Sequence, residues 1–202
     1  MLLVGLTGNI AAGKSTAARL FAARGAAVVD ADVLARDAVR PGSAALAAIV
    51  GRWGRDVLAP DGTLERAALR ARVFGAGDEL EALNAIVHPE VARLRDDAVA
   101  AARARGDRVV IYDVPLLFER DLAAEVDTVV LVDAPRELRL ERLVRDRGLR
   151  ADEAMAMIAA QMPAELKRAR SDYVVENTGG RDALAARVDE VWRALEARAV
   201  AA

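Results

Sequence analysis

Five short runs of almost uniformly apolar residues recur along the chain: LLVGLT (2–7), AVVD (27–30), RVVIYD (108–113), TVVLVD (128–133) and YVVE (173–176). They do not alternate apolar with polar residues, as a half-exposed strand does. Continuous runs of this length, rich in Val and Ile, predict parallel strands covered on both faces. Stretches with helical spacing separate them, so the chain reads as repeated strand–helix units around a five-stranded parallel sheet flanked by helices, an α/β fold. The interval between the second and third strands is too long for one crossover. Residues 43–52, 64–74, 78–87 and 89–104 are all predicted helical, punctuated by Pro41-Gly42, Pro60-Asp61-Gly62 and His88-Pro89. This predicts a helical insertion on the α/β core. Residues 135–170 are again helical and arginine-dense, and 181–199 form a closing amphipathic helix.

Composition narrows the chemistry. A chain of 202 residues, 54% apolar and 30% charged, supports one sizeable core with a small inserted subdomain. The net charge of −2 provides no field for nucleic acid or an anionic membrane, so neither is expected as a partner. Cysteine is absent, which excludes disulfides and thiolate metal sites and suits a reducing, cytoplasmic location. His88 is the only histidine, so histidine zinc clusters and ordinary Ser-His-Asp triads are excluded. No apolar run approaches the roughly 18 residues of a membrane-spanning helix, and no targeting segment is expected. Of 29 basic residues only two, Lys14 and Lys167, are lysine.

Lys14 lies in Gly8-Asn-Ile-Ala11-Ala12-Gly13-Lys14-Ser15-Thr16, which fits G-x4-G-K-[ST] at every fixed position. The motif follows a predicted strand and opens a predicted helix, the context it requires. Backbone N–H groups there wrap phosphates, assisted by the helix dipole. Lys14 is assigned to the β- and γ-phosphates and the Ser15 hydroxyl to Mg²⁺. A compact ammonium suits such a cradle better than a planar guanidinium does. The loop predicts ATP with Mg²⁺ as phosphoryl donor, bound by Gly8, Ala11, Ala12, Gly13, Lys14, Ser15 and Thr16.

Other candidates each have two readings. Asp32, after the second strand, is either a general base for an acceptor hydroxyl or the N-cap of a helix starting near Val33; Asp30 is the weaker candidate base. Arg139, Arg142 and Arg145 recur every third residue on roughly one helical face. They are either a solvated surface or a lid that neutralises the transferring phosphoryl group. Asp113 ends the third strand, where it either holds the Mg²⁺ shell or caps a turn. His88 is either functional or a helix-boundary residue.

Taken in order, LTGNIAAGKST, VVDADVLAR, RPGSAAL, DGTLERAALRARVF, NAIVHPEV, VPLLFE, VVLVD, ERLVRDRG, AAQM and SDYVVENTG resemble the dephospho-coenzyme A kinases over nearly the whole chain. The resemblance implies ATP-dependent phosphorylation of the ribose 3′-hydroxyl of dephospho-coenzyme A. It implies a nucleotide-binding core (1–40, 106–134, 171–202), a helical acceptor domain (41–105) and a lid with adjoining helices (135–170). It further implies Asp32 as base, His88 and Pro115-Leu116-Leu117 near the acceptor, Arg142 and Arg145 in the lid, and Asn177 near the adenine. Asn9, Ala11 and Ala12 stand where that family usually has Gly, Gly and Ser, replacements that suit positions with ordinary backbone angles. A shikimate kinase shares the D-x-D but wants a glycine triplet where Val114–Glu119 stands here. A non-catalytic nucleotide switch is a further alternative, disfavoured by missing GTPase motifs.

Overall fold

The computed structural model describes residues 1–201. Its strands are β1 (Leu2–Gly8), β2 (Ala27–Asp30), β3 (Val109–Asp113), β4 (Thr128–Asp133) and β5 (Tyr173–Glu176), in the sheet order β2-β3-β1-β4-β5. All five predicted strands are present, in a parallel sheet. β1 pairs with β3 from Leu2↔Val109 to Leu6↔Asp113 and with β4 from Val4↔Thr128 to Gly8↔Val132. The three central strands are almost wholly buried while β2 and β5 at the edges are partly exposed, so the apolar runs are longest where both faces are covered.

Two compact units are present. The first comprises residues 1–29 and those from 102 onward. Helices α1 (Lys14–Ala22) and α9 (Arg181–Ala201) cover its sheet, with Ala17, Phe21, Val188, Trp192 and Leu195 in one core with Leu2, Val4 and Leu6. The Phe21 and Trp192 rings pack at 6.3 Å between centroids. After β4 come α6 (Arg136–Arg147), α7 (Ala151–Ala159) and α8 (Ala164–Ala169).

The second unit, Asp30–Ala101, holds α2 (Ala31–Asp37), α3 (Ala44–Trp53), α4 (Arg66–Val73) and most of α5 (Gly77–Arg105). Its own core gathers Val39, Ile49, Trp53, Val57, Leu69 and Val73. This unit starts ahead of the insertion expected at 41 because Val39 belongs to its core. Two helices were expected across 78–104, broken at His88-Pro89; the structure has one helix running through Pro89. Proline there forfeits one helical hydrogen bond, a cost of about 3 kcal/mol. Leu83, Ile86 and Val87 hold the preceding turns against the unit's core, which offsets it. His88 is therefore an exposed mid-helix residue and not a boundary residue. No helix of the described residues is long and apolar enough to cross a membrane.

Candidate active site

Chain connectivity locates the ligand crevice. β1 leads away to β2 on one side and β4 to β5 on the other, so the carboxyl ends of β1 and β4 form a topological switch point. Gly8 lies there opposite Val132, where an added Cβ would sit 2.6 Å from the Val132 carbonyl oxygen. Only glycine permits that strand approach. Residues 9–13 then turn into α1, with Gly13 as its N-cap at φ 99°, a left-handed conformation in which a side chain would also run into Asn177 Nδ2. Both fixed glycines of the motif thus have a steric reason.

Ala12 is buried and adopts an ordinary φ. Ala11 does not: it holds φ 59°, so one of the three departures from the family loop falls on a left-handed position, costing about 1 kcal/mol. Its methyl packs with Ile10, Leu140, Leu143, Leu149, Ala154 and Ile158 in a small cluster joining the loop to α6 and α7.

Side chains from far along the chain hold the loop backbone. Arg142 donates from Nη1 to the Ala11 carbonyl at 3.1 Å and from Nη2 to the Asn177 carbonyl at 3.3 Å. Asn177, just past β5 and buried, donates from Nδ2 to the Ala12 carbonyl at 2.8 Å. Gln161 accepts from the Ile10 N–H at 2.8 Å, and Asn9 Nδ2 donates to the Met162 carbonyl at 3.2 Å. Sequence reasoning missed Gln161; the AAQM segment that contains it was the available signal. Lys14 pairs with Asp113 at the carboxyl end of β3, with both side chains largely buried. Ser15, in the first turn of α1, is exposed. The first turn carries no acidic residue, leaving its N–H groups and dipole to an anion.

The three arginines expected on one face diverge. Three-residue steps turn about 60° short of a full rotation, so the first and last point about 120° apart. Arg139 is buried, with Nε donating to the Ala134 carbonyl at 3.1 Å and Nη1 lacking a partner. Burial pushes its guanidinium below the ordinary value, opposed chiefly by Asp133. Arg142 reaches the phosphate loop, and Arg145 is an exposed residue paired with Glu141 and Asp146.

In the segment after β3, Pro115 and Leu116 are partly exposed, whereas Leu117 is fully buried beneath Gly5 of β1. Pro115 is held by Thr7, whose Oγ1 donates to its carbonyl at 3.2 Å. In the second unit the expected cap of α2 moves. Asp30, at φ −94° and ψ 116°, accepts from the N–H groups of Asp32 at 2.8 Å and Val33 at 3.2 Å, so it is the N-cap and Asp32 is not. The helix starts two residues earlier than expected because Asp30 is the last extended residue of β2. The Asp32 carboxylate is left exposed in the first turn.

The chain is similar to known proteins over nearly its whole length. The family model described as dephospho-CoA kinase matches residues 2–182. A dephospho-CoA kinase of Anaeromyxobacter dehalogenans is 51% identical over 95% of this chain and 90% of its own. One from Thermobifida fusca is 46% identical over 98% of both chains. Among solved structures, the TT1252 protein of Thermus thermophilus matches with TM-score 0.81 and 36% identity, covering 96% of this chain and 97% of its own.

Proposed function

The chain belongs to the dephospho-CoA kinase family, and from that premise we infer that it transfers the γ-phosphoryl group of ATP to the ribose 3′-hydroxyl of dephospho-coenzyme A. The products are coenzyme A and ADP, the last step of coenzyme A synthesis. The observation that carries this reading is a phosphate-loop motif whose backbone is braced by Arg142, Asn177 and Gln161, in a chain matched to the family over residues 2–182. The absence of cysteine supports a cytoplasmic location.

The proposed roles are assigned residue by residue. Lys14 exchanges its Asp113 partner for the β- and γ-phosphates, while the α1 N–H groups take the β-phosphate. Arg142 stands against Ala11 and neutralises charge on the transferring group, with Arg145 in the adjoining lid and Asn177 at the nucleotide. Asp32 accepts the proton as the 3′-oxygen bonds to phosphorus and the bond to the β–γ bridging oxygen breaks. His88, Pro115 and Leu116 contact the acceptor, and buried Leu117 supports that segment from below. The donor set also suits Mg²⁺. Among the described residues no three His, Cys, Asp or Glu side chains form a metal cluster, and Mg²⁺ binds through few protein ligands with substrate phosphates supplying the rest. Ser15 and Asp113 would hold it, and when bound it neutralises phosphate charge.

Mass spectrometry of the reaction with ATP, Mg²⁺ and dephospho-coenzyme A is expected to show one added phosphate on the 3′-oxygen. Lys14→Ala is expected to fold and to lose at least about a hundredfold in turnover. No phosphorylated product from the parental protein would overturn the reading.

A further inference from the structure

Both lysines of this arginine-rich chain end on carboxylates at the two ends of one segment. Lys14 pairs with Asp113, the last residue of β3, and Lys167 of α8 pairs with Glu119, Nζ to Oε1 at 2.7 Å. Between them lie residues 114–118, including Pro115 and Leu116. The Lys167 side chain is fully buried and Glu119 keeps 23% exposure. The contact is an ion pair without hydrogen-bond alignment, and Lys167 Nζ has no aligned acceptor among the described residues. A buried ammonium balanced by one carboxylate constrains where that carboxylate can go, because separation would leave an unpaired charge in a poorly polarisable interior. An exposed pair exerts no comparable hold.

The neighbouring residue is gripped as well, since the Arg170 guanidinium lies 4.8 Å from the Phe118 ring centroid. The same short stretch begins with Gln161 and Met162, the acceptors for Ile10 N–H and Asn9 Nδ2.

We propose that Lys167, acting through Glu119, is a positioning residue for the acceptor-binding segment 114–118, and that residues 161–170 tie this segment to the phosphate loop. The proposal rests on the acceptor assignment made above for Pro115 and Leu116. When Lys14 turns from Asp113 to the phosphates, the Lys167–Glu119 end remains anchored, so the segment keeps its place.

Lys167→Met preserves the apolar stem and lets Glu119 turn to water, so the fold is expected to survive. For this variant the KM for dephospho-coenzyme A is expected to rise about tenfold or more, since small misplacements of contacting groups are costly. The Kd for ATP is expected to stay within about twofold, and amide exchange across 114–121 to quicken by about tenfold. A lowered melting temperature with acceptor KM and exchange in 114–121 both unchanged would overturn the proposal and leave the pair a stability element. If the parental protein does not phosphorylate dephospho-coenzyme A, the functional reading fails, and exchange in 114–121 still decides whether Lys167 holds the segment. Should Lys167→Met not fold, Glu119→Gln is judged by the same measurements from the more exposed end of the pair.

Discussion

Asp30 and Asp32 are separated by one residue and do different work. Asp30 spends its carboxylate on the backbone N–H groups of Asp32 and Val33, while the Asp32 carboxylate itself is exposed in the first turn of α2. Asp32→Asn is therefore expected to leave stability unchanged and to lower turnover by roughly 10² to 10⁴, since the amide cannot take the hydroxyl proton. A loose phosphoryl-transfer transition state, which needs little early deprotonation, favours the low end. Steady-state kinetics of the purified variant check this; a parental rate would place the base elsewhere. In the phosphate loop, Ala11 and Gly13 both hold positive φ but differ in surroundings. Ala11→Gly relieves a left-handed alanine and is expected to be neutral or stabilising by up to about 1 kcal/mol. Gly13→Ala is expected to destabilise and to weaken ATP binding, because its Cβ collides with Asn177. Urea melts of the two variants should move in opposite directions or diverge clearly.

Helix α6 shows how one element serves three environments. Its buried turn carries Arg139, its loop-facing turn Arg142 and its solvated end Arg145. Arg142 bridges carbonyls on two segments 166 positions apart in sequence, Ala11 and Asn177, so it braces the loop before any phosphate arrives. Arg142→Ala is expected to lower kcat/KM for ATP by about tenfold or more, with kcat falling as well. Arg136→Ala, on an exposed residue of the same helix, is expected to stay within about twofold. Equal small effects in the two variants would overturn a role for Arg142 in ATP use.

The two compact units each close a hydrophobic core, so stabilisation by ATP alone is expected to stay within the unit that holds the phosphate loop. Saturation with ATP at about a hundredfold its Kd stabilises the binding unit by about 2.7 kcal/mol. Hydrogen exchange with ATP alone is expected to slow at residues 8–16, around Arg142 and at Asn177, with the 39–73 core unchanged. Protection confined to 30–101 would overturn the assignment of the nucleotide to the first unit.

The strands, the phosphate loop and the family were legible from the amino-acid sequence because each is a local, contiguous signal. Uniform apolar runs report burial on both faces, and G-x4-G-K-S with its flanking strand and helix reports a backbone geometry. The residues that brace the loop were not legible in that way. Arg142, Gln161 and Asn177 meet residues 9–12 from 131 to 165 positions away, and no local pattern encodes which side chain will arrive. Asp30 became the cap because β2 ends there, and α5 continued through Pro89 because packing of Leu83, Ile86 and Val87 outweighed one lost hydrogen bond. The arginine triplet looked like one face until a rotation of about 100° per residue spread it over three. Lys167 was visible as one of two lysines, yet its meaning arose only when folding buried it against Glu119. Local chemistry is written in adjacent residues, whereas partners across the fold are chosen by packing that joins distant ones.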